Sequence, residues 1–226
     1  MKYFNFFRTA NKAASISTLI SLIALFAKVI FLNPITSATA QIYDLGVVVD
    51  AILTSVIASY IFYLFAVHLK EVQDKELIAP FFNKRMNFVI DYCEAQLREI
   101  SRESGIHLTL EDLTEESLRG ALKRIDGNSA APIKEWGSNQ SLNWYEYFYH
   151  YIKKSKESIA VIFVNINQLD VIQVSILTEI YDCNHFLVFP AVVKSGVFDN
   201  DLTKQTGSFL NYFNRCRDLK SQMKKI

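Results

Sequence analysis

Two long apolar runs fill most of the first 70 residues, and neither has a polar side. "ASISTLISLIALFAKVIFL" (14–32) and "GVVVDAILTSVIASYIFYLF" (46–65) are hydrophobic around the whole helical circumference, as buried or membrane-spanning helices are. About 20 such residues cross the ~30 Å of bilayer hydrocarbon, so the pattern predicts spans at 14–32 and 45–67. Beyond residue 69 the pattern becomes amphipathic. Met86, Val89, Ile90, Cys93, Leu97 and Ile100 recur at spacings of three and four, which predicts a helix with one buried stripe, ending near Gly105 and separated from the second span by Pro80.

Further helices follow. "TEESLRGALKRIDG" has Thr114 as its cap and Gly127 past its end, and the Gly-, Ser-, Asn- and Pro-rich stretch 127–140 reads as a loop. "SLNWYEYFYHYIKKSKES" places six aromatics in the eight residues Trp144 to Tyr151 and predicts a central helix. Those rings either pack a core or, through Trp144, Tyr145 and Tyr149, offer a partner surface or a platform for bases. Stacking on nucleic acid calls for interleaved Arg and Lys, whereas only Lys153, Lys154 and Lys156 adjoin, at one end. No direct nucleic-acid binding is expected. "ESIAVIFVNIN" continues as helix, since a lone strand would lack a pairing partner. Leu169, Ile172, Ile176, Ile180 and Cys183 mark another helix, and Phe209, Tyr212, Phe213, Cys216 and Leu219 the buried face of the last. The expected fold is an all-α membrane protein: an N-terminal two-helix transmembrane hairpin (1–69) carrying a cytoplasmic bundle of five or six helices (70–226).

Charge orients it. Lys2, Arg8 and Lys12 precede the first run, the connector "NPITSATAQIYD" has no base, and Lys70, Lys75, Lys84 and Arg85 follow the second. The positive-inside rule then puts both termini in the cytoplasm of a multi-pass inner-membrane protein. Tyr3, Phe4, Phe6 and Phe7, with Tyr60, Phe62, Tyr63 and Phe65, read as anchors at the inner interface. Ala38-Thr39-Ala40 resembles a signal-peptidase site, but the preceding run is long for a signal peptide. Residues 69–226 carry 20 Lys and Arg against 21 Asp and Glu, a net charge of −1 that gives no phosphate-tracking surface.

Candidate chemistry is sparse. Cys93, Cys183 and Cys216 are odd in number and lack a C-x-x-C spacing, and His68, His107, His150 and His185 are scattered. Neither pattern holds a metal or a disulfide framework. With seven glycines and no P-loop, nucleophile elbow or dinucleotide turn, no enzyme and no cofactor is expected.

The two charges inside the apolar runs are therefore the most informative residues. At about 100° per residue, Ala14, Ser17, Ser21 and Ala24 fall within about 40° of Lys28, and Ala51, Thr54 and Ala58 share an arc of about 100° with Asp50. Lys28 lies five residues before Asn33 and Asp50 five after Leu45, so in an antiparallel hairpin both sit roughly 8 Å below the outer interface. Three readings stay open: an ion pair that only holds the hairpin together, polar stripes that line a hydrated leak once hairpins oligomerise, or two unrelated snorkelling charges.

The two-span hairpin, followed by "SLNWYEYFYHYIKKSKESI", "INQLDVIQVSILTEIYD" and "FLNYFNRCRDLKSQM", resembles a class of small bacterial membrane proteins that includes the two-transmembrane effectors of anti-phage systems, those of retrons in particular. Architecture and hydrophobic pattern carry the likeness over most of the chain. It implies an abortive-infection toxin, held silent by a cytoplasmic partner such as a reverse transcriptase with its RNA–DNA product, that acts as a homo-oligomer to damage the inner membrane. The other reading is a non-enzymatic membrane-anchored scaffold or sensor whose helical domain recruits a cytoplasmic partner.

Overall fold

The computed structural model describes residues 10–32, 40–134, 141–166 and 169–224. The fold is mostly helical, 80% helix with few strands. The N-terminal aromatics Tyr3, Phe4, Phe6 and Phe7, the bases Lys2 and Arg8, and Ala38-Thr39 of the expected cleavage site lie outside the described residues. The chain divides into two compact units, Met1–Ile78 and Ala79–Ile226.

In the first unit, α1 (Lys12–Ala27) runs on into a π-helical turn, Lys28–Leu32, and α2 (Ala40–Phe62) into another, Tyr63–His68. Asn11 caps α1, its side-chain oxygen accepting from the Ala13 and Ala14 amides at 3.0 and 3.3 Å. The large side chains point outward: Ile20 is 61% exposed, Phe31 70% and Phe62 71%. Among the described residues, three helical stretches are long and apolar enough to cross a bilayer: Lys12–Phe31, Tyr43–Ser104 and Val171–Ser195. The third is interrupted at Asp182–Cys183, and its pieces of 11 and 12 residues are each well short of the ~20 that a span requires.

α3 (Leu69–Ser104) is continuous and contains Pro80, so the expected break there does not occur. Proline removes one intrahelical bond, and Ala79, Pro80 and Phe81 are exposed, a setting in which the backbone group left over can be hydrated. The helix ends at Gly105, whose φ of +68° suits glycine.

The second unit adds α4 (Glu115–Leu122), a short antiparallel pair β1 (Ala130–Lys134) and β2 (Ser141–Asn143), then α5 (Trp144–Phe163), α6 (Val171–Tyr181), α7 (Asn184–Ser195), a 3₁₀ turn (Leu202–Gln205) and α8 (Thr206–Met223). Thr114 and Asn143 close capping boxes on α4 and α5 with Ser117 and Glu146. The expected loop 127–140 is thus partly sheet, with Ala130 opposite Asn143 and Lys134 opposite Ser141. Gly127 joins this ribbon to the helices, its amide bonding Asn200 O and its carbonyl accepting from Trp144 N. A Cβ at Gly127 would collide with the Asp199 carbonyl and reach 2.7 Å from the Tyr145 ring.

The core of this unit is aromatic. Phe148 meets Phe209 at 4.7 Å and Phe189 at 5.3 Å in edge-on geometry, and His185 stacks on Tyr212 at 4.7 Å. The stripe from Met86 to Ile100 and that from Phe209 to Leu219 are both buried. Cys93, Cys183 and Cys216 are free and buried, and burial pushes the Cys183 thiol up to about 11, which leaves it unreactive near neutrality.

Candidate functional site

Within the first unit, a few polar contacts fix how α1 meets α2, and their register is antiparallel. Lys28 Nζ lies 2.6 Å from Asp50 Oδ2. The Ser15 and Tyr60 hydroxyls are 2.7 Å apart, and the Asn11 amide donates to Tyr63 Oη at 3.3 Å. Each contact closes one end of a seam. Between the ends, Ser21 is buried and Ala14, Thr18 and Leu25 on α1 and Leu53, Val56 and Ile57 on α2 are partly covered, α1 repeating at three and four as in other packed helix pairs.

Lys28 opens its π turn and reaches two acceptors one helical turn apart on α2. Besides Asp50 it donates to the Gly46 carbonyl at 2.5 Å, so two of its three donor positions are used. Gly46 matters through its size. A Cβ there would lie 3.4 Å from Lys28 Nζ, and anything beyond Cβ would displace the ammonium. The lysine side chain is 16% exposed and the aspartate 45%. Asp50 is unevenly satisfied, because its Oδ1 is enclosed with no hydrogen-bond partner among the described residues. An enclosed carboxylate oxygen without a donor is costly, and a donor from a second polypeptide would relieve it.

The remaining stripe residues are distributed differently from the sequence expectation. Ser21 is buried and Ala14 partly covered, but Ser17, Ala24, Ala51, Thr54 and Ala58 are exposed. The contact face of α2 is turned toward Leu53, Ile57 and Tyr60. Helices apolar on all sides carry no periodic signal for their contact face, and the two tyrosine hydroxyls help to set it. Tyr60 and Tyr63, read from sequence as interface anchors, instead turn their hydroxyls to α1, whereas Phe62 and Phe65 are each 71% exposed. Register arithmetic contained the clue: matching Lys28 to Asp50 in an antiparallel pair brings Ser15 to within a turn of Tyr60 and Tyr63.

Comparison with protein-family models, curated proteins and solved structures finds no match. Function must therefore be argued from the geometry.

In the second unit the proposed partner surface does not form. Trp144 is fully buried and Tyr145 is 2% exposed; both belong to the core, and Tyr149 is half-buried. Trp144 packs edge-on against Tyr147 at 5.3 Å and lies 5.6 Å from Phe148. Tyr145 lies 5.7 Å from both Phe189 and Phe198. Among the described residues no three His, Cys, Asp or Glu side chains converge as a metal site would require. The shallow depressions of this unit, among them one of about 690 Å³ between Arg119, Arg124, Asp126 and Thr203, mix both charge signs.

Proposed function

We propose that this protein is an inner-membrane effector of a bacterial anti-phage system of the abortive-infection kind. On this reading α1 and α2 form a two-span hairpin with both termini cytoplasmic, and the later helices form a cytoplasmic bundle. A regulatory protein or nucleoprotein, of the kind a reverse transcriptase makes with its RNA–DNA product, holds that bundle inactive. Release lets hairpins of several copies assemble and breach the bilayer.

One observation carries the reading furthest: an ion pair sits within an otherwise apolar exterior, and one of its oxygens is enclosed without a donor. Charges inside a span are costly, up to about 2.5–3.5 kcal/mol at its centre on insertion scales, so two charges kept roughly 8 Å below the interface ask for a use. The exposed Ser17, Thr54, Ser55 and Ser59 add hydroxyls to the outer faces, where a second hairpin finds hydrogen-bonding partners.

The test is membrane potential, followed with a voltage-sensitive dye on induced expression in bacteria, with and without phage challenge. Depolarisation is expected, and it should be lost in Lys28→Met and in Asp50→Asn. Cells that keep their potential under both conditions would overturn the effector reading. Exchanging the charges, Lys28→Asp with Asp50→Lys, recreates the ion pair but puts an acceptor beside the Gly46 carbonyl, so only partial recovery is expected.

The scaffold reading has its own support in the polar staples at both ends of the seam, which make a firm anchor. If an unrelated two-span hairpin replaces residues 1–69 and the biological activity survives, the hairpin is a tether and the scaffold reading stands.

A further inference from the structure

On the second unit, α3 and α5 bring together a ladder of rings and cations that neither helix shows alone. Phe81, Lys84, Arg85, Phe88 and Tyr92 recur at spacings of three and four on α3, opposite the buried Phe82, Met86 and Val89. The Arg85 guanidinium lies 5.3 Å from the Phe81 ring centre and 6.0 Å from that of Phe88, and Lys84 Nζ is 5.9 Å from Phe88. Phe88 stacks on Tyr92 at 6.2 Å, and Tyr92 meets Tyr151 of α5 at 5.8 Å. Lys154 of α5 closes the ladder, its Nζ 5.8 Å from Tyr92 and 6.0 Å from Tyr151.

Some cations of this unit are already matched to carboxylates, and these three are not. Arg102, Arg119, Lys204, Arg215 and Lys220 all sit in ion pairs. Lys84, Arg85 and Lys154 form none among the described residues, although Asp91 and Glu157 border the strip. Held against rings rather than carboxylates, their charge is left for an external anion.

We propose that this strip binds the anionic phospholipid headgroups of the bilayer in which the hairpin sits; the inference rests on the membrane reading of α1 and α2. Residues 79–226 carry equal numbers of acidic and basic residues, 18 of each, so no general positive field draws the unit to a polyanion. Three cations gain about fivefold each at an anionic membrane surface, of the order of a hundredfold together, which is weak from free solution. Tethering changes that. Phe81 follows His68 by 13 residues, a chain that spans at most about 45 Å even fully extended, so headgroups are present at high effective concentration. Aromatic rings beside bases suit the bilayer interface. Single-stranded nucleic acid fits less well, because base stacking needs open ring faces and those of Phe88 and Tyr92 are shared with each other and with Lys84, Arg85 and Lys154.

The full chain, reconstituted in nanodiscs of phosphatidylcholine alone or mixed with phosphatidylglycerol, tests this by lysine acetylation read by mass spectrometry. Lys84 and Lys154 should react several-fold more slowly in the anionic discs, the difference should shrink at high salt, and the exposed Lys194 and Lys204 should not change. Equal rates in both discs overturn the proposal. So does protection by a single-stranded oligonucleotide in neutral discs without protection by phosphatidylglycerol, which would assign the strip to nucleic acid. Replacing Arg85 and Lys154 by Gln should abolish the lipid-dependent protection of Lys84; protection that persists also overturns it. A chain that enters neither disc fails the membrane reading itself and takes this proposal with it, a result distinct from equal acetylation in discs that hold the protein.

Discussion

Isoleucine 23 on α1 is 60% exposed, whereas phenylalanine 209 on α8 is completely buried, and the contrast extends through their units. Among the described residues of Met1–Ile78 most large apolar side chains face outward, and the seam is decided by a few polar atoms: a lysine, an aspartate, a serine and two tyrosines. In Ala79–Ile226 the core is made of rings, with Trp144, Tyr147, Phe148, Phe189, Phe209 and Tyr212 fully buried. Water drives the second arrangement, by roughly 25 cal/mol per Å² of apolar surface removed from it. The first gives up that gain in water and makes sense where the surroundings are themselves apolar, so that close packing and hydrogen bonds select the contact.

Truncating one side chain in each unit should expose this difference most sharply. Phe209→Ala empties a site bounded by Phe148, Phe189, His185 and Phe213, and a loss of about 3–5 kcal/mol is expected. Ile23→Ala should change stability by no more than about 0.5 kcal/mol. Denaturant unfolding of the detergent-solubilised chain, followed by tryptophan fluorescence of the second unit and by helix content, measures both. Similar losses at the two sites would mean that Ile23 is covered by protein, and the contrast would collapse.

Polar deletion should be the harsher change in the first unit. Lys28→Met leaves Asp50 without the ion-pair partner it has among the described residues and Gly46 O without its lysine donor, and about 2–3 kcal/mol is expected, somewhat under the 3–5 typical of a fully buried broken pair because Asp50 is half exposed. The double replacement Lys28→Met with Asp50→Leu removes both charges and should recover most of that loss. Thermal unfolding of the four combinations in one detergent gives the coupling. A coupling near zero would return the two charges to independent snorkelling.

Reading the sequence succeeded where a period existed. The Met86–Ile100 and Phe209–Leu219 faces repeat at helical spacing, and both are buried. It failed where no period could report. The all-apolar α2 gave no way to tell Ala51, Thr54 and Ala58 from Leu53 and Ile57 as the inner face. Helix α7 has no periodic signal in the sequence, since Pro190 and His185 interrupt a short apolar run whose inward residues, Phe186 and Phe189, are too few to show a repeat. The ribbon β1–β2 lies in a stretch whose composition matches a loop. The Lys28–Asp50 match in depth needed only an antiparallel pairing and a residue count, but Gly46 as second acceptor depends on the lysine's rotamer and could not be counted.

His185 carries the contrast to its finest point, an ionisable side chain fully buried among the rings of the second unit's core. Its Nε2 lies 3.2 Å from Gln96 Oε1; an amide oxygen only accepts, so the ring donates from Nε2 and leaves Nδ1 bare, enclosed and without a partner. A second proton would go to Nδ1, among Phe148, Phe186, Phe189, Phe209 and Tyr212, with no acceptor. Burial accordingly lowers its pKa from 6.5 to about 3. Since the folded value lies below the unfolded one, this stabilisation is complete above about pH 6.5 and is lost as the pH falls toward 3, where the unfolded chain takes a proton that the folded chain refuses. From pH 7 to 5 the loss should be on the order of 2 kcal/mol. That window lies above the ordinary range of carboxylates, so Glu111, Asp199 and Asp201, all lowered by their hydrogen bonds, contribute little to it. His150, lowered by partial burial and then by Lys154 and Lys153, adds a smaller loss of the same sign. In His185→Phe the baseline falls because Gln96 Oε1 loses its donor, but the pH 7 to 5 slope should flatten to the part due to His150. An unchanged slope in that variant would mean that water reaches the ring, and the second unit would hold a hydrated polar pocket where its packing shows an aromatic core.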